Sequence, residues 1–194
     1  HDHGTVAADF DNDGDQDVYV CQSFSSAGVA APNLLFVNGG VQPVTGNIIF
    51  TEQAAARGVA VTGSGDSYCA TWGDYDRDGL LDLMVGDYLA APRSGLNVGP
   101  HTLFRQNPGG TFTNVTTASG TAVPGAALAV LWHDYDEDGW PDCHYINDRG
   151  DSFSPNSLMR NQRNGTFMDV GPAVNANIGI DAMGITVGDT ANDG

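Results

Sequence analysis

One short acidic string recurs along the chain at regular intervals, and this repetition is the strongest constraint on the fold. Each complete copy has aspartate at positions 1, 3, 5 and 9 and glycine at position 6. Successive copies begin 65, 60 and 55 residues apart, so the repeats occupy almost all of the 194 residues. Such a period predicts a chain built from copies of one supersecondary unit. The complete copies are residues 9–17, 74–82 and 134–142, and a partial copy covers residues 189–194.

The segments around these strings predict four short strands in each complete repeat. The first strand precedes the string, the second follows it directly, and an apolar hairpin supplies the third and fourth. In this order, the predicted strands are 4–9, 17–21, 33–38 and 48–51; 68–74, 82–85, 101–105 and 111–115; and 128–134, 142–146, 156–160 and 166–170, with one further first strand over 183–189.

Four antiparallel strands per repeat of about 60 residues are typical of a β-propeller blade. We therefore predict an all-β fold of propeller-type blades, with about three and a half repeats forming one domain over residues 1–194. The repeats cover roughly residues 4–65, 66–125 and 126–181, and the partial repeat covers residues 182–194.

The spacing of the aspartates predicts a cation site in each complete string. Their carboxylates can converge if the chain curls tightly, and the glycine permits the curl because it tolerates positive φ. Clustered carboxylates repel one another unless a cation lies between them. Calcium suits a flexible shell of about six to eight oxygens, including a carbonyl from position 7, whereas magnesium demands a tighter octahedron. Zinc is disfavoured because the strings contain no cysteine or histidine.

These arguments predict three Ca²⁺ sites and an incomplete fourth, in which position 3 is Ala191 and positions 7 and 9 are missing. The other interpretation is a solvated acidic turn. The predicted ligands are Asp9, Asp11, Asp13, Asp15 and Asp17; Asp74, Asp76, Asp78, Leu80 and Asp82; Asp134, Asp136, Asp138, Trp140 and Asp142; and Asp189 and Asp193.

An EF-hand has a similar aspartate spacing but differs at two points. It requires a glutamate at position 12 and helices on both sides. Here position 12 is Val20, Val85 or Tyr145, and the flanking segments alternate as strands do. The EF-hand interpretation is therefore disfavoured.

The overall composition excludes several classes of function. The chain has 24 acidic and 7 basic residues and a formal net charge of -17, and it contains no lysine. A surface this negative repels phosphate, so nucleic acid is excluded as a partner. No apolar stretch is long enough to insert into a membrane. The three cysteines, Cys21, Cys69 and Cys143, are interpreted as small core side chains, with one disulfide plus a free thiol as the alternative.

The motifs resemble the FG-GAP/VCBS repeats of integrin-α-type β-propellers. Residues 103–116, with the sequence LFRQNPGGTFTNVT, are especially similar to the variety found in cartilage acidic protein and related bacterial secreted proteins. The resemblance covers essentially the whole chain. It implies a secreted or cell-surface propeller with calcium in each loop, serving adhesion, ligand binding or scaffolding without catalysis.

Three and a fraction repeats are fewer than the blades of known propellers. The chain is therefore expected to be an excerpt of a longer protein or to be completed by copies of itself, stacked head to tail as a ring or filament. Other extracellular proteins or glycans are further candidate partners. The alternatives in function are a carbohydrate-binding lectin and the propeller domain of a polysaccharide-active enzyme. Asn114 and Asn164 fit the N-glycosylation acceptor pattern.

Overall fold

Three sheets of the same construction form the core of the molecule. The computed structural model describes residues 2–23, 31–61, 66–88, 99–151 and 154–188. Each sheet has four antiparallel strands that pair in chain order, which confirms the predicted all-β fold of four-stranded units. Sheet 1 contains β1 (Asp2–Ala8), β2 (Asp17–Gln22), β3 (Leu34–Val41) and β4 (Ile48–Glu52); sheet 2 contains β5 (Ser67–Gly73), β6 (Asp82–Asp87), β7 (Thr102–Asn107) and β8 (Thr111–Asn114); sheet 3 contains β9 (Ala127–His133), β10 (Asp142–Asn147), β11 (Ser157–Asn161) and β12 (Phe167–Asp169).

A single helical turn follows the last strand of every sheet. Each turn ends on a residue in the left-handed conformation, namely Gly58, Gly120 or Asn175, as is common at helix C-termini. Sequence analysis missed these helices because four residues are too few to show a helical period. They are α1 (Ala54–Arg57), α2 (Thr116–Ser119) and α3 (Gly171–Val174).

Neighbouring sheets pack against each other, with β5 in contact with both β1 and β9. Between sheets 1 and 2 the buried side chains include Tyr19 and Leu35 from sheet 1 and Leu83 from sheet 2. Between sheets 2 and 3 they include Met84 and Tyr145. Leu83 and Met84 are neighbours on β6 and enter opposite cores, because successive side chains of a strand point to opposite faces.

An aromatic cluster recurs at both sheet-to-sheet contacts. The aromatic residue at position 2 of one acidic string packs on a tryptophan and a phenylalanine of the next sheet, with ring centroids 5.5–6.3 Å apart. These six aromatic residues therefore contribute to the packing between neighbouring sheets. The two clusters are Phe10, Trp72 and Phe112, and Tyr75, Trp132 and Phe167.

The prediction of a further first strand over residues 183–189 is wrong for residues 183–188, which form no strand. In each described sheet the first strand pairs with the second, whereas residues 183–188 pair with no strand among the described residues. The chain just before this segment instead forms hydrogen bonds with the connection between β10 and β11. The Gly150 N–H donates to the Ile180 carbonyl at 3.1 Å, and the Asn156 N–H donates to the Ile178 carbonyl at 3.2 Å.

The cysteines are free thiols, so the disulfide alternative is not realised. Cys21 and Cys143 are buried in the sheet-to-sheet cores, and Cys69 is partly buried. Burial raises the pKa of Cys69 to about 12, which leaves it a protonated, unreactive thiol at neutral pH. Among the described helices, none has the length and apolar character needed to cross a membrane.

Candidate metal centre

Each complete acidic string forms the turn between the first and second strands of its sheet; we call residues 9–17 loop 1, residues 74–82 loop 2 and residues 134–142 loop 3. Two residues of each loop have positive φ, and these curl the chain. Position 6 is glycine, which adopts this conformation without strain. The φ values at positions 4 and 6 are 60° and 93° for Asn12 and Gly14, 59° and 87° for Arg77 and Gly79, and 54° and 86° for Glu137 and Gly139.

The aspartate at position 1 holds the curl by accepting two backbone hydrogen bonds. In loop 1, Asp9 Oδ1 accepts from the Asp13 N–H at 3.0 Å and Oδ2 accepts from the Gly14 N–H at 2.9 Å. Asp74 and Asp134 accept the same pair of bonds in loops 2 and 3, at 2.7–3.0 Å. The loop conformation is therefore built by the aspartates themselves.

The aspartate at position 9 connects the loop to the third strand. In loop 2, Asp82 is buried; its Oδ2 accepts from the Tyr75 N–H at 3.1 Å and its Oδ1 accepts from the Gln106 N–H at 2.8 Å. Asp17 and Asp142 make the same two kinds of bond. Burial disfavours the charged form and raises the pKa of Asp82 to about 7.

Three carboxylates converge in every loop. One oxygen from each lies within 4.8 Å of the others, and in loops 1 and 2 these come from positions 1, 3 and 5, whereas in loop 3 they come from positions 1, 3 and 9. The loops share one unusual atom, Oδ1 of the position-3 aspartate, which is buried and has no hydrogen-bond partner. A buried carboxylate oxygen without a partner is costly, so this atom marks where a cation would be stabilised. The groups are Asp9, Asp11 and Asp13; Asp74, Asp76 and Asp78; and Asp134, Asp136 and Asp142.

The other predicted ligands lie outside the three convergent groups. Asp17, Asp82 and Asp138 belong to the loops but lie outside these tightest groups. The three position-7 residues donate their N–H to Oδ1 of the position-5 aspartate at 2.9–3.0 Å, which places them within the curl. The position-7 residues are Asp15, Leu80 and Trp140. Asp189 and Asp193 lie outside the described residues.

Sequence reasoning missed the arginines that contact two of the loops. Arg105 on β7 donates from Nε to Asp76 Oδ2 at 2.5 Å and from Nη2 to Asp78 Oδ2 at 3.0 Å. Arg160 on β11 contacts Asp136 at 2.7 Å and Asp138 at 3.4 Å, so it repeats the arrangement. The signal was available, because both arginines follow the same leucine-containing third-strand motif.

Loop 3 receives a second arginine. Nη2 of Arg163, which lies in the turn after β11, is 2.6 Å from Asp138 Oδ2. This hydrogen bond lowers the pKa of Asp138, since it favours the charged carboxylate. In loop 1 the pKa of Asp11 is instead raised by burial and by neighbouring Asp13.

Comparison with known proteins gives one family match. The FG-GAP-like repeat family matches residues 9–85 and 134–194, which is more than two thirds of the chain. These two regions contain all three complete loops. Among curated proteins, no significant match is found.

Proposed function

We infer the function from one premise: this chain belongs to the FG-GAP-like repeat family. Repeats of this family occur in extracellular adhesion modules and propeller-type modules. We propose that the chain is a secreted or cell-surface, calcium-binding module of propeller type, with a structural or adhesive role. The three described sheets are proposed to be neighbouring blades of the propeller.

The observation that carries the calcium proposal is the unpartnered position-3 oxygen, which recurs in three separate loops. A solvated acidic turn, the other interpretation, would leave this carboxylate oxygen in contact with water. Instead, Oδ1 of Asp11, Asp76 and Asp136 is buried with no protein partner. The candidate ligand atoms of the loops are all oxygens, and oxygen ligands suit a hard cation such as Ca²⁺.

The loop residues would bind the ion, and its charge would offset the repulsion among their carboxylates. Hydrogen bonds within the chain contribute the rest of the loop's stability. Position 1 holds the curl, and position 9 connects it to the third strand, so cation binding would link the turn to three of the four strands. Extracellular calcium modules bind with dissociation constants of about 0.1–1 mM. We propose this range for the loops.

Isothermal titration calorimetry tests the proposal. We expect Ca²⁺ to bind to about three sites and Mg²⁺ to bind more weakly, because magnesium requires a stricter octahedron. A variant with Asp11→Asn, Asp76→Asn and Asp136→Asn should lose most of this binding. Asp181→Asn, an exposed aspartate outside the loops, is the matched control and should bind as the parent does. Unchanged binding by the triple variant would contradict the proposal.

The exposed face of sheet 1 supports the proposal that copies of the chain associate. On β4, Ile48 is 56% exposed and Phe50 is 45% exposed. Phe50 corresponds to Phe112 of sheet 2, which is buried against the preceding sheet. We propose that a second copy stacks head to tail on this face. Light scattering in calcium should show particles larger than one chain, and a compact monomer at all concentrations would contradict the stacking.

The proposal includes neither catalysis nor sugar binding as the main role. The loop aspartates already accept backbone hydrogen bonds and, in loops 2 and 3, arginine hydrogen bonds. The six aromatic residues of the two sheet-to-sheet clusters pack in the core rather than on a platform for sugars. Glycans and other extracellular proteins stay candidate partners. Asn114 and Asn164 are both exposed, so a glycan could be attached at either acceptor.

A further inference from the structure

The three sheets differ at one position of the third strand, beside the loop. Strand register places Phe36, Phe104 and Met159 opposite the residue that follows the position-9 aspartate. The next residue along the third strand is therefore equivalent in the three sheets. It is Val37 in sheet 1, Arg105 in sheet 2 and Arg160 in sheet 3.

The two arginines act as built-in counterions. In loop 2, Arg105 binds Oδ2 of Asp76 and of Asp78, so it holds the carboxylates of positions 3 and 5 together. It does not use Oδ1 of Asp76, the atom without a partner. Arg160 does the same for Asp136 in loop 3. The guanidinium group thus reduces carboxylate repulsion without occupying the position-3 oxygen that faces the proposed cation.

Loop 1 has no such counterion. Val37 is buried and apolar, and among the described residues no ion pair reaches a loop 1 carboxylate. The positive charge of Arg57 partly offsets the rise in the pKa of Asp11 that burial causes, without a hydrogen bond to it. Its Nη1 instead donates to the carbonyls of Gly109 and Gly110 at 3.2 and 3.0 Å.

The charge difference between the loops is large. Loop 1 has a fifth carboxylate at position 7, Asp15, where the other loops have apolar residues. Counting the nine loop residues together with the third-strand and turn arginines that contact them, the net charge is -5 for loop 1, -2 for loop 2 and -3 for loop 3.

We propose that the three cation sites are unequal: loop 1 binds calcium most tightly and needs it to stay folded, whereas loops 2 and 3 keep their fold through their arginines when calcium is removed. The inference rests on the proposed calcium-binding function. Its physical basis is that like charges held together destabilise the loop, and that this penalty is relieved either by a bound cation or by a guanidinium group.

Amide hydrogen exchange, measured by NMR in calcium and in chelator, tests the inference. The reporters are the N–H groups at positions 5 and 6, which bond to the position-1 carboxylate: Asp13 and Gly14 in loop 1, and Asp78 and Gly79 in loop 2. On chelation we expect exchange to accelerate at least about tenfold more in loop 1 than in loop 2. Equal acceleration in all loops, or a larger one in loop 2, would overturn the inference.

This outcome is distinguishable from failure of the proposed function. If calcium gives no heat of binding and protects no loop, calcium binding itself is wrong. If calcium binds and protects all loops alike, only the inequality is wrong.

Two variants test the inference without comparing different loops of the parent protein. Arg105→Gln should make loop 2 sensitive to chelator, as loop 1 is, while loop 3 with its own Arg160 stays unchanged as the internal control. Asp15→Asn removes one negative charge from loop 1 and should weaken its calcium affinity about tenfold, because the lost carboxylate no longer attracts the cation. If Arg105→Gln leaves loop 2 exchange in chelator unchanged, the arginine is not the counterion and the inference is wrong.

Discussion

At the scale of single residues, the aspartates of a loop have different tasks although the motif makes them look equivalent. Position 1 accepts bonds from within the loop, position 3 presents an unpartnered oxygen, and position 9 is buried beneath the loop. A substitution should therefore have an effect that depends on its position. Changes at position 3 should act on cation binding, and changes at position 9 should act on the fold itself.

Asp82→Ala should destabilise the protein even without calcium. The change leaves the backbone N–H groups of Tyr75 and Gln106 without their acceptor, and two unpaired buried donors cost about 2–4 kcal/mol. Denaturant unfolding in chelator measures the loss. Asp181→Ala, exposed and outside the loops, is the control and should change the free energy of unfolding by less than about 0.5 kcal/mol. Equal stabilities would contradict the structural role of Asp82.

Asp87, at the far end of β6, should make stability depend on pH. It is fully buried, and burial raises its pKa to about 7. The folded state therefore keeps this proton up to about pH 7, whereas the unfolded chain releases it near its ordinary pKa of 3.8. Stability from this group is present at low pH and is lost as the pH rises from about 4 to 7.

Asp87→Asn tests this effect. In chelator, the free energy of unfolding of the parent should fall by several kcal/mol more than that of the variant between pH 5 and 8, on the order of 3 kcal/mol. Ser67, whose hydroxyl donates to Asp87 at 3.0 Å, can also donate to the amide oxygen of the variant. Parallel pH profiles for the two proteins would refute the effect.

At the scale of elements, the repeated unit is a sheet together with the aromatic residue that the preceding loop inserts into it. Phe10 of loop 1 packs on Trp72 of β5, and Tyr75 of loop 2 packs on Trp132 of β9. A loop therefore contributes to the core of the next sheet as well as to its own proposed cation site. This arrangement connects the acidic loops with the sheet-to-sheet packing.

Trp72→Ala should cost about 3–5 kcal/mol of stability, since a large aromatic side chain is removed from a packed core. It contacts the rings of Phe10, Tyr19 and Phe112. Chemical denaturation followed by circular dichroism measures the effect. Met168→Ala, which truncates a side chain 52% exposed on β12, should cost far less. A similar cost for both variants would contradict the packing role of Trp72.

At the scale of the whole molecule, calcium should stabilise the folded state and raise its melting temperature. A ligand that binds only the folded state stabilises it by about 1.4 kcal/mol per site at tenfold excess over Kd. For a chain of this size, each kcal/mol raises Tm by about 2–4 °C. For three sites, about 4 kcal/mol in all, differential scanning calorimetry should therefore show a calcium-dependent rise of about 8–17 °C, reversed by chelator.

The triple variant at Asp11, Asp76 and Asp136 is the control for this rise, because it keeps the sheets but lacks the position-3 carboxylates. Its Tm should respond to calcium much less than that of the parent. A rise of the same size in both proteins would assign the effect to calcium binding elsewhere.

Much of the fold was accessible from the sequence because its signals are local. The recurrence of the aspartate string, the alternation of the flanking strands and the glycine at position 6 all act within a few residues. These features were sufficient to predict three four-stranded units and the loop between the first two strands of each. The repetition of the string also supplied the candidate ligands.

Only the tertiary structure decided which of the equivalent strings have a counterion and which do not. The contacts of Arg105 with Asp76 span 29 residues, and those of Asp82 with Gln106 span 24, so the third-strand motif shows where the arginine lies but not which carboxylate it contacts. Residues 183–188 also depend on long-range pairing: their sequence suits a strand, but they pair with no strand among the described residues and form none. Local chemistry determined what each repeat is made of, and long-range hydrogen bonding and charge pairing determined how the repeats differ.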